Sequence, residues 1–196
     1  MNQYSDNGVD LRVVELLAMP FGYACDVGAN DGTFNSNTLV LEEMGWYVLC
    51  VEPNPHLAAD GRMKRKLWRE VACSDKDSED EDFAIYTAGP KYASGSCLGK
   101  FNRNTDLTTS DNVPPMTAKV VTRRLDRVLE EAGFPRLDFL TVDVEGWEDE
   151  VMAGFTVERW KPEIIVLESW TERVIPIEGY TVLEKRQFDN IYQRNA

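Results

Sequence analysis

The sequence from residue 26 to residue 32 reads Asp-Val-Gly-Ala-Asn-Asp-Gly. It follows a short apolar run at 21–25 and precedes an amphipathic stretch, which is typical of a loop between a buried strand and a helix. Glycines at positions 28 and 32 let the backbone approach a ligand closely, and a helix start offers unpaired N–H groups. The stretch therefore predicts a strand–loop–helix unit with a ligand at its loop.

A second buried strand, at 46–51, is followed by Glu52. In doubly wound α/β folds, an acidic residue at this place binds the hydroxyls of a ribose. The loop lacks the second and third glycines of a dinucleotide fingerprint, since Asn30 and Thr33 stand there. Asp31 would repel a pyrophosphate and suits a cationic amino group, such as that of S-adenosylmethionine. The two strand ends therefore predict a nucleoside cofactor and disfavour NAD.

Strands and helices alternate along the rest of the chain. Further strands are predicted at 67–73, 83–86, 118–121, 139–142 and 164–167, and helices at 9–18, 33–44, 125–131 and 147–153. This alternation predicts a parallel sheet that binds ligands at the carboxyl ends of its strands. The end of the chain, 180–192, predicts an antiparallel hairpin. Residues 74–82 are typical of a charged turn, and 88–116 form a long polar segment without periodicity.

Length and composition restrict the class of protein. The 196 residues predict a single domain, 1–196. The formal net charge of −13 argues against a nucleic-acid partner, and no apolar run is long enough for a membrane span. The four cysteines form no C-x-x-C pair and the N-terminus shows no signal-peptide pattern, so we expect reduced core thiols in a cytoplasmic protein.

Short motifs follow one another in a fixed order between residues 21 and 194. They are Asp26-Val-Gly-Ala-Asn-Asp-Gly32, Gly45-Trp46, Val51-Glu-Pro-Asn-Pro55, Ala72-Cys-Ser-Asp75, Arg124-Leu-Asp126, Val142-Asp-Val-Glu-Gly146 and Gly179-Tyr180. In this order they resemble the FkbM-type methyltransferases. The resemblance implies a class I, Rossmann-like fold, with a mostly parallel seven-stranded sheet and an antiparallel terminal hairpin. It also implies S-adenosylmethionine-dependent methylation of a hydroxyl on a sugar or another small polar metabolite.

The resemblance also assigns residues to the cofactor. It places the methionine part at Gly28, Asn30 and Asp31, the ribose at Glu52, and the adenine at the edge formed by 72–73. The full candidate set is Asp26, Gly28, Asn30, Asp31, Asn37, Glu52, Pro53, Ala72 and Cys73. For Asn37, local capping or packing is an equal alternative.

A hydroxyl acceptor needs a general base that can reach its proton. The resemblance places Asp143 near the reacting methyl group, and Glu145 is the next carboxylate in the sequence. If the strands that end at Asp143 and Glu168 are neighbours, the two carboxylates would stand together and could share a proton or hold Mg²⁺. The alternative is that one is solvated and the other caps the following segment.

The acceptor itself is predicted only as a class, a small molecule or a glycan. Ser94 and Ser96 are candidates for hydrogen bonds to a polyol, and the segment 88–116 is either a lid over the acceptor or a surface excursion. Two other functions stay open, an NAD-dependent oxidoreductase and a non-catalytic protein that retains the fold. The oligomeric state is open as well.

Overall fold

The fold is built around one large sheet and one small sheet. A computed structural model describes residues 1–85, 96–98, 116–169 and 173–195. The strands are β1 (Tyr23–Val27), β2 (Tyr47–Val51), β3 (Leu67–Arg69), β4 (Ala72–Cys73), β5 (Ser78–Ile85), β6 (Cys97–Leu98), β7 (Met116–Arg123), β8 (Phe139–Val142), β9 (Ile164–Glu168), β10 (Tyr180–Arg186) and β11 (Asp189–Arg194). The helices are α1 (Val9–Leu17), α2 (Leu39–Glu43), α3 (Pro55–Lys64), α4 (Leu125–Glu131), α5 (Glu148–Ala153) and α6 (Val157–Trp160).

The large sheet has seven strands in the order β10-β11-β9-β8-β1-β2-β3. Its pairings are parallel from β9 through β8, β1 and β2 to β3, whereas β11 pairs antiparallel with both β9 and β10. The molecule is therefore a mixed α/β protein. The carboxyl ends of the parallel strands, together with the start of β11, meet at one edge of this sheet.

Both faces of the large sheet are covered. The side chains of β1 alternate between two buried clusters, with Cys25 and Val27 in one and Ala24 in the other. Residues of α1, α2 and α3 complete the cluster around Ala24, while residues of α4, α5 and α6 complete the cluster around Cys25. Strands buried on both faces explain the continuous apolar runs in the sequence.

The small sheet was not predicted. Its order is β4-β7-β5-β6, and it interrupts the predicted strand at 67–73, because 67–69 pairs with β2 while 72–73 pairs with β7. The prediction of a charged turn at 74–82 was wrong from Ser78 onward, where β5 begins. Within the segment 88–116, residues 97–98 form β6 against β5. Most of that segment lies outside the described residues.

The helix predicted at 33–44 is much shorter, covering only Leu39–Glu43. Two polar side chains accept hydrogen bonds from backbone N–H groups before and at the start of this helix. Asp31 Oδ1 accepts hydrogen bonds from the N–H groups of Thr33 and Phe34, and Ser36 Oγ accepts from that of Leu39. Such local hydrogen bonds compete with helix formation, so residues 31–38 form turns above the sheet instead.

Two further predictions concern the chain as a whole. All four cysteines are buried and none forms a disulfide, as expected for core thiols. Among the residues with described structure, no helix has the length and apolar character needed to cross a membrane.

Candidate active site

A cavity of about 290 Å³ opens at the carboxyl-end edge of the large sheet. This volume is at the lower end of the range for small-molecule sites. Among the residues that line it are twelve of the predicted site residues: Asp26, Gly28, Asn30, Asn37, Glu52, Pro53, Ala72, Cys73, Ser96, Asp143, Glu145 and Glu168. The structure therefore brings the predicted cofactor and catalytic residues together at one place. Ser94 lies outside the described residues.

The loop after β1 passes very close to the chain that follows β8. Gly28 has a φ of 87°, and a Cβ at this position would lie 1.8 Å from the backbone oxygen of Asp143. The N–H of Gly28 donates to the carbonyl of Val51 at 2.9 Å. Only glycine combines this backbone conformation with this approach, so Gly28 sets the spacing between the loop and the strand end that carries Asp143.

Glu52 follows β2 and is buried beside that loop. Its Oε2 accepts a hydrogen bond from the N–H of Asn30 at 3.1 Å, and its Oε1 accepts from the N–H of Asn54 at 2.8 Å. Burial raises the pKa of Glu52 to about 7, against the lowering effect of these two hydrogen bonds. The two amides fix the orientation of the carboxylate, and each oxygen keeps a second lone pair that a ligand hydroxyl can use.

Asp26 lies at the end of β1 and belongs to a buried polar network. Its Oδ2 accepts a hydrogen bond from the Thr38 hydroxyl at 2.5 Å. Arg65 donates to the same hydroxyl and pairs with Glu42 at 2.9 Å. Burial raises the pKa of Asp26, while the positive charge of Arg65 opposes the shift. The network anchors residues 36–38 at the cavity, where the amide of Asn37 donates to Thr141 Oγ1 at 3.1 Å.

Asp31 is the one described member of the predicted set that does not line the cavity. Its Oδ1 accepts hydrogen bonds from Thr33 and Phe34, and its Oδ2 pairs with Lys64 Nζ at 2.7 Å. Burial alone would raise its pKa, but these partners outweigh burial and lower it to about 2. The structure thus gives Asp31 a local role in the turn, apart from the other cofactor candidates.

The cavity lining also includes the carboxylates of the predicted catalytic group. Asp143, Glu145 and Glu168 each offer an oxygen, and these oxygens lie within 4.8 Å of one another. Burial first, and then the charge of Asp143, raises the pKa of Glu168 well above its usual value. Glu148 accepts hydrogen bonds from the N–H groups of Val144 and Gly146, so it fixes the loop that contains Glu145.

The sequence did not point to several other lining residues. Asp189 begins β11 and pairs in register with Glu168, and burial followed by the charge of Asp143 raises its pKa to about 7. Phe83 and Leu98 come from the small sheet, and Trp147 comes from the loop before α5. Trp147 donates to Ser74 Oγ at 3.1 Å, which ties the loop to the small sheet. The antiparallel register of β11 and the small sheet were needed to place these residues.

The cavity is strongly acidic. Seven carboxyl-bearing residues line it: Asp6, Asp26, Glu52, Asp143, Glu145, Glu168 and Asp189. Within the described ranges, no Lys, Arg or His is part of the lining. A site of this kind favours cationic or neutral ligands and disfavours a pyrophosphate.

The buried carboxyls predict how stability depends on pH. We expect the free energy of unfolding to fall as the pH rises from about 5 to about 8, by roughly 1 kcal/mol or more. Because the pKa of Glu52 is raised to about 7, the folded state binds more protons than the unfolded state in this window. The resulting stabilisation is complete at low pH and is lost as the pH passes the folded pKa. Urea unfolding at several pH values measures it. Glu52→Gln should show a shallower decrease, and an equal slope in both proteins would contradict this origin.

Comparisons with known proteins show what this chain is similar to. The family model of the methyltransferase FkbM domain matches residues 26–191, a range that contains Asp26, Glu52, Asp143 and Glu168. The chain is 31% identical over 154 residues to the 2-O-methyltransferase NoeI of Sinorhizobium fredii (strain NBRC 101917 / NGR234). The matched part covers 74% of this chain and 62% of that protein. The chain belongs to the FkbM methyltransferase family.

Proposed function

We propose that this protein is an S-adenosylmethionine-dependent methyltransferase with a Rossmann-like class I fold, and that it methylates a hydroxyl oxygen. The observation that carries the proposal is Glu52, a buried carboxylate that is oriented by two backbone amides at the edge of the cavity formed by the Gly28 loop. A carboxylate in this position can accept hydrogen bonds from both hydroxyls of a ribose.

The charge of the cavity favours this cofactor over NAD. S-adenosylmethionine carries a sulfonium and an ammonium group, whereas NAD carries a pyrophosphate that the seven acidic residues would repel. In this proposal Gly28 and Asn30 lie against the methionine part, and Ala72 and Cys73 lie against the adenine. Asp26, Asn37 and Pro53 support the same pocket.

Methyl transfer then needs positioning and removal of one proton. S-adenosylmethionine supplies, when bound, a methyl group that is electrophilic because it is attached to a sulfonium. Asp143 accepts the proton that leaves the acceptor hydroxyl, with Glu145 as the alternative base. Glu148 fixes the backbone around Glu145, because it accepts hydrogen bonds from the N–H groups on either side of that residue.

The acceptor in this proposal is a small polar molecule or a glycan, with a hydroxyl as the methylated group. The Sinorhizobium relative is a 2-O-methyltransferase, which supports oxygen as the methylated atom. Trp147 offers an aromatic face and Ser96 a hydroxyl at the same cavity. The prediction of a lid over 88–116 falls mostly outside the described residues and stays a prediction.

Replacing Glu52 tests the cofactor assignment. Charge-assisted hydrogen bonds to the ribose are each worth roughly 1.5–3 kcal/mol, so Glu52→Ala should weaken the binding of S-adenosylhomocysteine at least about tenfold. Titration calorimetry measures the affinity, and circular dichroism confirms that the variant is folded. Glu70→Ala is a matched control, because Glu70 pairs with Arg62 at the surface. An unchanged affinity in Glu52→Ala would contradict the ribose assignment.

A further inference from the structure

Three acidic side chains at the catalytic edge form a compact group of oxygen donors. Asp143 follows β8, Glu145 lies two residues beyond it, and Glu168 ends the neighbouring strand β9. One oxygen from each lies within 4.8 Å of the other two. Groups of carboxylate oxygens are the ligands that Mg²⁺ and Mn²⁺ prefer.

Glu168 supplies an independent observation. The residue is 7% exposed. Its side chain has a hydrogen bond with Asp143, but its Oε2 is fully buried without a hydrogen-bond partner in the part of the chain that the structure describes. A buried carboxylate oxygen without a partner is strongly unfavourable. A bound cation would compensate this oxygen when the carboxyl group is ionised.

The surrounding residues of the described structure do not supply that cation. The cavity lining there contains no Lys, Arg or His, and Asp189 adds a further carboxyl in register with Glu168. The backbone on both sides of Glu145 is also fixed, since Glu148 accepts hydrogen bonds from the N–H groups of Val144 and Gly146. A cluster of carboxylates that is partly buried and held by a fixed backbone is suited to a divalent ion.

We propose that Asp143, Glu145 and Glu168 bind one divalent cation that prefers oxygen ligands, either Mg²⁺ or Mn²⁺. Binding of the ion does not depend on the proposed function, whereas its catalytic role rests on that function. The chemistry that such an ion supplies is to polarise a bound hydroxyl and lower its pKa. The proton of the acceptor hydroxyl would still pass to a carboxylate oxygen of Asp143 or Glu145 that does not bind the ion. A proton shared between Asp143 and Glu168 is the competing arrangement.

Binding of Mn²⁺ to the full chain, freed of metal by a chelator and without cofactor or acceptor, tests the proposal. Electron paramagnetic resonance of free Mn²⁺ gives the affinity and stoichiometry. We expect about one site per chain, from which Mg²⁺ displaces Mn²⁺, and roughly tenfold or more weakening in Glu168→Gln. Glu150→Gln, on the neighbouring helix α5, is the matched control and should bind as the wild type does. Absence of a Mn²⁺ site, or equal binding in Glu168→Gln, would overturn the proposal.

Two further measurements separate a loss of metal binding from a loss of folding, and a failure of the metal site from a failure of the proposed function. Thermal unfolding of each variant shows that a loss of binding is not a loss of folding, and Asp143→Asn provides a second test if Glu168→Gln is unfolded. Titration of S-adenosylhomocysteine is carried out separately on metal-free protein. Binding of Mn²⁺ without S-adenosylhomocysteine binding would leave the metal site intact and contradict the proposed function. The reverse result would contradict the metal site alone.

Discussion

Replacing Asp143 with asparagine is expected to lower the rate of methyl transfer by roughly 10²–10⁴-fold, the usual contribution of a general base. The asparagine side chain has nearly the same shape but cannot accept the proton of the acceptor hydroxyl. The affinity for S-adenosylhomocysteine should fall less than the rate, because Glu52 and the Gly28 loop are unchanged. Single-turnover rates and titration calorimetry on the same preparation measure the two effects.

Asp149→Asn is the matched control for this substitution. Asp149 lies in α5 and pairs with Arg173 at 2.7 Å on the surface, so its loss should leave the rate near that of the wild type. Equal losses of rate and cofactor affinity in Asp143→Asn would assign Asp143 to cofactor binding. A rate close to that of the wild type would move the base to Glu145.

The substitution Gly28→Ala is expected to have the largest effect on stability. An alanine Cβ would lie 1.8 Å from the backbone oxygen of Asp143, and the residue would have to keep a φ of 87°. Neither backbone can move without displacing the ends of β1 and β8. We expect a loss of about 3 kcal/mol or more in the free energy of unfolding, together with loss of cofactor binding.

The substitution Gly45→Ala separates the cost of the backbone conformation from the cost of the close contact. Gly45 has a φ of 96°, but a Cβ there would have no heavy atom within 4 Å. This variant therefore shows the cost of the backbone conformation alone, about 1–2 kcal/mol, and should retain cofactor binding. Urea unfolding compares the two variants. Equal losses in the free energy of unfolding in the two variants would mean that the close approach to Asp143 adds nothing to the cost of Gly28→Ala.

The positions of Glu52, Asp143 and Glu168 follow from the sequence pattern. Each comes at the end of an apolar run, and the carboxyl ends of parallel strands meet at the same edge of a sheet. No knowledge of side-chain contacts was needed for that prediction. It explains why the cavity contains most of the residues that the sequence singled out.

Other features depended on contacts that a sequence pattern does not contain. Asp31 has the chemistry of a ligand-binding residue, but hydrogen bonds to Thr33 and Phe34 and the pair with Lys64 engage its carboxylate. Asp189 reaches the site only through the antiparallel register of β11 with β9. The small sheet pairs β7 with the much earlier strands β4 and β5. The two-residue strands β4 and β6 are too short to show periodicity.

Titration calorimetry of the wild-type protein with S-adenosylhomocysteine, and separately with NAD, tests the central claim most directly. The Gly28 loop, the buried Glu52 carboxylate and the acidic cavity predict binding of one S-adenosylhomocysteine per chain and no measurable binding of NAD. Tighter binding of NAD, or no binding of S-adenosylhomocysteine by folded protein, would contradict the assignment of this cavity to a methyl-donor cofactor.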